Sequence, residues 1–218
     1  MTALSKKALI VQGGWDGHQP RETAEILANL LRDAGFEVEV SGTLDAFLDS
    51  SHLKTMSLIV PHWTTGDLTG DQAKSLIGAV ESGVGLAGIH GGMGDAFRAN
   101  TEYQFMVGGQ FVAHPDNLKD YTVHIVKQSD PIVAGLADFA VHSEQYYMHV
   151  DPANEVLATT TFETASAPWI NGTVMPVVWK RTHGQGRVFY QSIGHSVAEL
   201  SGAEVREITR RGLLWAAR

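Results

Sequence analysis

Ten histidines and not one cysteine decide which chemistry is open to this 218-residue chain. A thiol nucleophile, cysteine-ligated zinc and disulfides are excluded by composition. Imidazoles and carboxylates remain as the groups able to move protons or bind a metal. The central one is His90, in Gly88-Ile89-His90-Gly91-Gly92. A G-x-X-x-G turn after an apolar strand lifts its middle side chain above a sheet's carboxyl edge, because only glycine neighbours leave room for so sharp a bend. Ser or Cys there would mean acyl transfer, whereas an imidazole means proton transfer or metal ligation. A plainer account is that the glycines only let strand and helix pack closely.

Two further residues complete a catalytic set. His195 follows Gly194 at the end of a late strand, and Glu144 lies between His142 and the pair Tyr146-Tyr147. We read His90 and Glu144 as exchanging protons with a substrate and His195 as orienting or polarising it. If 142–149 is one strand, Glu144, His142 and Tyr146 share a face, and Tyr147 and His149 share the other. Trp15, Asp16 and His18 stand together in the first loop, where an aromatic can stack and a carboxylate can bind hydroxyls. With His62, His114 and Tyr146 they form the candidate substrate-binding set. His52, His124 and His183 read as ordinary surface positions. Trp179 and Arg181 alternate onto one strand face and read as a core Trp and a solvated Arg.

No His-Glu-x-x-His or His-x-His occurs, so any metal site must be assembled from distant loops. His18, His90, Glu144 and His195 would make a three-nitrogen, one-oxygen set with an open position, a catalytic rather than a structural geometry. A divalent metal, zinc or manganese, is the one cofactor these residues suggest; none is required by composition. Gly13-Gly14-Trp15-Asp16-Gly17 lacks the spacing of a dinucleotide fingerprint, so no redox step is expected of this chain.

The elements that must position these groups follow from periodicity. Ala8–Val11 is an apolar run stopped by Gly13-Gly14, and Pro20 opens a helix whose apolar residues run to Gly35. Phe36–Val40 alternates as an edge strand would, and 44–48 predicts a short helix. Leu58–Pro61 delivers His62 and Trp63 to its carboxyl end; Thr69 and Gln72 have capping-box spacing for a helix ending near Gly83. Gly85–Ile89 is the strand feeding His90. Residues 96–107 read as an interrupted helix and 110–115 as a loop carrying His114. Strands follow at 121–126, 156–161, 174–180 and 187–191, and a helix with Val205, Ile208 and Trp215 closes the chain. Alternating strands and helices imply parallel βαβ units, with ligands at the carboxyl ends of the strands. The expected fold is one α/β domain over 1–218.

These segments, in this order, resemble a family: the ThuA-like (trehalose utilisation) proteins of the class I glutamine amidotransferase-like superfamily. The resemblance rests on the glycine-rich first loop with His18, the Gly88–Gly92 turn, Gly108-Gly109-Gln110-Phe111 with His114-Pro115, Ser143–Tyr147, and Gly186–Tyr190 leading to Gly194-His195. It implies a flavodoxin-like three-layer α/β/α sandwich with a mostly parallel central sheet, and carbohydrate metabolism involving keto-sugars. His90 stands where the amidotransferases carry their nucleophilic Cys, so thioester chemistry is unavailable and amidotransferase activity is rejected. The expected function is an enzyme, an isomerase, lyase or hydrolase, acting on a sugar or keto-sugar by acid-base or metal-assisted chemistry. The alternative is a non-catalytic sugar-binding or assembly module on the same fold. The expected partner is a small-molecule carbohydrate, with a separate sugar dehydrogenase implied by the family and a homo-oligomer allowed for. A net charge of -8 without basic runs argues against nucleic acid and anionic membranes. The first residues, Met1 to Lys7, show no apolar leader, which makes the cytoplasm the expected location.

Overall fold

A computed structural model describes residues 6–218; Met1 to Ser5, on which the expectation of no leader partly rests, lie outside the described residues. The first half alternates strand and helix: β1 (Lys7–Gly14), α1 (Pro20–Asp33), β2 (Glu37–Ser41), α2 (Ser50–Leu53), β3 (Leu58–Thr64), α3 (Gly70–Glu81), β4 (Gly85–Ile89), α4 (His90–Gly94) and α5 (Thr101–Val107). The second half is strand-rich: β5 (Gly109–Ala113), β6 (Leu118–Ile125), β7 (Phe139–Glu144), β8 (Tyr147–Val150), β9 (Glu155–Thr161), β10 (Val174–His183) and β11 (Gly186–Gln191), closed by α6 (Val197–Leu200) and α7 (Ala203–Ala216).

Nine strands form one sheet in the order β2-β1-β3-β4-β11-β10-β9-β6-β7. β2, β1, β3, β4 and β11 run parallel, as the βαβ pattern requires. The other strands join antiparallel and extend the sheet as a wing. This is the flavodoxin-like α/β arrangement with a mostly parallel central sheet. β1 shows how it buries both faces: Ala8 and Ile10 enter one core, Leu9 and Val11 the other. Leu27 and Leu31 of α1 with Ile208 and Leu213 of α7 fill the first core. Leu76 and Val80 of α3 with Met106 of α5 fill the second. Each such fully buried side chain contributes about 1.5–3 kcal/mol.

Helix ends follow local chemistry. Pro20 occupies the first turn of α1, and the helix stops where Gly35 turns left-handed, with Phe36 N–H donating to the Leu31 carbonyl at 3.1 Å. In α3, Thr69 and Gln72 cap each other reciprocally, as their spacing predicted.

Three expectations are corrected. Residues 109–113 are strand rather than loop: β5 pairs with β8 in a separate two-stranded sheet, and a register shift between Phe111 and Ala113 breaks the alternation that would have revealed it. The helix expected over 96–107 begins only at Thr101, because Phe97 is left-handed and the Asn100 side chain caps the Tyr103 N–H at 2.9 Å. Arg181 is not solvated. It is half-buried with its side chain only 7% exposed and paired with Asp151 at 2.9 Å, while Trp179 on the same strand is a core residue as expected.

Candidate functional site

Strand ends and the loops after them bring four side chains to one point. Past β1, a single 3-10 turn (Asp16–His18) swings His18 inward, and its Nδ1 lies 2.8 Å from Thr64 Oγ1 at the end of β3. His90 opens α4 with φ of 44°, a left-handed backbone costing a non-glycine residue about 1–3 kcal/mol. The Tyr190 hydroxyl of β11 holds that bend by donating to the His90 carbonyl at 3.0 Å. At Gly91 an added Cβ would stand 2.5 Å from the His18 ring, so imidazole and elbow backbone meet at a distance only glycine permits. Glu144 ends β7, and His195 follows β11. Glu199 Oε2 accepts from both the Ser143 hydroxyl (2.7 Å) and the His195 N–H (2.9 Å), tying those two segments together.

The donor atoms of His18, His90, Glu144 and His195 all lie within 4.8 Å of one another. Glu144 Oε2 is their shared centre, 3.1 Å from His90 Nε2, 3.4 Å from His195 Nδ1 and 3.9 Å from His18 Nε2. His90 Nδ1 is 2.8 Å from the Ser192 carbonyl, and a carbonyl only accepts, so Nδ1 carries the proton there. Burial, ahead of every other influence, lowers the His90 pKa to about 4 and keeps the ring neutral. Its Nε2 lone pair therefore faces a carboxylate oxygen. Burial by itself would raise the Glu144 carboxyl, but its contacts with His18, His195 and His90 hold it far below the usual carboxylate range. His195 Nδ1 is buried and has no hydrogen-bond partner. Glu144 in turn raises the His195 pKa, so the carboxylate is the negative centre on which the three rings converge.

A cavity of about 280 Å³ opens beside this cluster, lined among others by Trp15, Thr64, Arg98, Phe111, His114 and Tyr146. Tyr146 stacks on His90 with centroids 4.1 Å apart, and burial pushes its hydroxyl well above the usual phenol range, so it stays a donor. His114 Nε2 stands 3.7 Å from Glu144 Oε1. Asp95, itself buried, grips Arg98 by two hydrogen bonds of 2.5 and 2.8 Å at the cavity wall.

The structure thus gathers the four expected metal candidates and sets Trp15, His114 and Tyr146 around them. Two of the expected binding residues do not join. Asp16 is exposed and outside the cavity lining. His62 lies behind the elbow, its Nε2 2.7 Å from Thr23 Oγ1. The face-sharing expected over 142–149 also fails, because the chain leaves the large sheet after Glu144 and enters the small one at Tyr147. His142 is exposed and pairs with Asp120 at 2.8 Å. Asp95-Arg98, Thr64 and Glu199 were not expected. The three-residue spacing of Asp95 and Arg98 and the four-residue spacing of His195 and Glu199 were their only signals.

His62 sets a pH dependence. Burial first, and then proximity to the His18 and His90 rings, lower its pKa from 6.5 to about 4. Above pH 6.5 it is neutral folded or unfolded. Between pH 6.5 and 4 the unfolded chain takes up a proton that the folded chain refuses, so stability falls with pH by up to about 3 kcal/mol. Denaturant titrations of chelator-treated protein from pH 7.5 to 4 will show this slope, and His62→Gln will reduce it while leaving the share of His90, whose pKa is lowered over the same window; an equal slope in the variant would remove His62 as a cause.

Comparisons with known proteins agree with this architecture. The family model described as "ThuA: Trehalose utilisation" matches residues 7–216. A ThuA-like protein from Bacteroides uniformis ATCC 8492 superposes with a TM-score of 0.79 at 18% identity, covering 99% of this chain and 94% of that one. A ThuA-like protein from Parabacteroides merdae ATCC 43184 does so with 0.79 at 17%, covering 97% and 90%. A cytoplasmic protein from Salmonella typhimurium LT2 gives 0.69 at 12%, covering 97% and 100%. At such identities the likeness concerns the fold. No curated protein matches the sequence. No helix among the described residues is long and apolar enough to cross a membrane.

Proposed function

The chain belongs to the ThuA (trehalose utilisation) family, and from that premise we propose that it is an enzyme acting on a sugar or keto-sugar through a divalent metal centre. The observation that carries this is the donor set itself: three imidazoles and a carboxylate converge within 4.8 Å, with the outer nitrogen of His90 committed to a carbonyl. Neutral imidazoles and an ionised carboxylate are the forms a metal needs. Outer hydrogen bonds from ligating histidines to oxygen are what orient them. His18 Nε2, His90 Nε2, Glu144 Oε2 and His195 Nδ1 would hold the ion. Zinc or manganese fits this nitrogen-rich, cysteine-free set. When bound, such an ion polarises a carbonyl or acidifies a water.

The chain's own groups then divide the work. With His90 and Glu144 engaged as ligands, the proton exchange first assigned to them passes to His114, whose Nε2 stands beside the centre on a half-buried ring. Proton transfer at that atom serves isomerisation, elimination or hydrolysis next to a carbonyl. Tyr146 stays protonated and offers its hydroxyl as a donor. Asp95 and Arg98 present a fixed carboxylate-guanidinium pair suited to adjacent hydroxyls, with Trp15 and Phe111 as stacking surfaces. A separate dehydrogenase would supply the oxidised sugar.

Protein purified without chelator will carry about one zinc or manganese per chain by elemental analysis. Removing it lowers Tm and stops turnover of 3-keto-glycosides; returning the ion at 100 times its Kd restores about 2.7 kcal/mol of stability. Stoichiometric metal absent from active protein would overturn the metal assignment. Sugar binding with no conversion of any keto-sugar, metal-loaded or not, would leave the binding-module reading in its place.

A further inference from the structure

Ser196-Val197-Ala198-Glu199 has the spacing of a capping box, in which the carboxylate at the third helical position returns to the N–H of the capping serine. Only half of that box forms. Ser196 Oγ accepts from the Glu199 N–H at 3.4 Å, but the Glu199 carboxylate passes the cap and reaches the site instead. Its Oε2 accepts from the His195 N–H at 2.9 Å, the Gly194 N–H at 3.3 Å and the Ser143 hydroxyl at 2.7 Å. The start of the same turn is committed too. The Val197 N–H donates to Gln19 Oε1 at 3.1 Å, and Gln19, left-handed with φ of 49°, is the residue after His18. Leu200, 1% exposed, roots the turn in the core.

One helical turn, α6, thus braces three of the four donors. The backbone of His195 is held directly. Ser143 and Glu144 are successive residues of β7 whose side chains leave opposite faces, so pinning the Ser143 hydroxyl fixes the direction in which Glu144 leaves the strand. His18 is braced through Gln19. His90 stands outside this arrangement, because its own tethers run to Ser192 and Tyr190. We propose, building on the function stated above, that Glu199 is a positioning residue of the metal centre, its carboxylate holding the His195 and Glu144 donors at the separation an ion needs. Glu199 is not among the residues lining the cavity beside the cluster, so it acts through those two segments rather than on the substrate.

Titration of the chelator-treated protein with zinc, and with cobalt(II) read by its visible absorption, tests this. Glu199→Ala will weaken zinc binding by about 10–100-fold, the range for losing a group that orients metal ligands from outside the coordination sphere. It will also alter the cobalt absorption, while circular dichroism stays that of the wild type. Ser143→Ala, which cuts only the Glu144 arm, will lose less. Glu199→Gln keeps an acceptor oxygen in place and will recover the wild-type cobalt spectrum and most of the affinity. A purely structural Glu199 would instead lower the Tm of the metal-free protein and leave the cobalt spectrum unmoved. Wild-type affinity and spectrum in Glu199→Ala, or a Gln variant as impaired as the Ala variant, overturns the proposal. Metal uptake by the wild type that ignores Glu199 overturns this inference alone, whereas a wild type that takes up neither ion overturns the metal reading and this inference with it.

Discussion

Glu144→Gln will weaken divalent-metal binding by more than about 100-fold and abolish metal-dependent turnover while the fold persists. Loss of an outer hydrogen-bonding partner of a metal ligand already costs about 10–100-fold, and Glu144 is proposed as a ligand itself. Its Oε2 is the atom to which His90, His195 and His18 are all directed. The amide keeps the shape and removes the charge, so the loss reads the carboxylate's electrostatic role. Three imidazoles remain, but the negative charge offered to the ion falls by one. Competition against a chromophoric chelator measures the affinity, and circular dichroism checks the fold. Wild-type affinity in the variant would sink the four-donor assignment.

Trp179→Ala will destabilise the protein by about 3–5 kcal/mol, the range for emptying a large aromatic site. For a chain of this size that corresponds to a Tm lower by roughly 6–20 °C. Trp179 is fully buried, and its indole N–H donates to the Val107 carbonyl at 3.0 Å, leaving an orphaned acceptor when removed. The ring also packs 4.4 Å from Tyr190, whose hydroxyl holds the left-handed His90 carbonyl. The variant will therefore lose metal affinity as well as stability, because the elbow's backing is gone. Urea titration at unchanged m value measures the first effect. A loss below about 1 kcal/mol would show that the site collapses around the smaller residue.

The parallel half of the sheet was legible because its strands are continuous apolar runs and its helices carry strong ends, as Thr69-Gln72 and Gly35 show. The antiparallel wing was less so. β5 is short and bulged, and 142–149 divides between two sheets, a break no periodicity records. Among site residues, His90 was readable from its glycines. His18, Glu144 and His195 could be nominated only as strand-end residues, since their meeting depends on tertiary closure. Asp95, Arg98 and Glu199 act through partners that only the folded chain supplies. Arg181 was misread because a long charged side chain on a strand is usually solvated, and its burial depends on Asp151 arriving from after β8.

The four donors come one from each quarter of the chain. Only a fragment that spans His18 to His195, most of the chain, holds the whole set, so native metal affinity reports completed folding rather than any local motif. In a protein without cysteine, an ion bound there would act as a long-range cross-link, joining four remote loops as a disulfide network would, yet released by acid or chelator. Refolding followed by metal uptake should then show a lag set by the slowest of those closures.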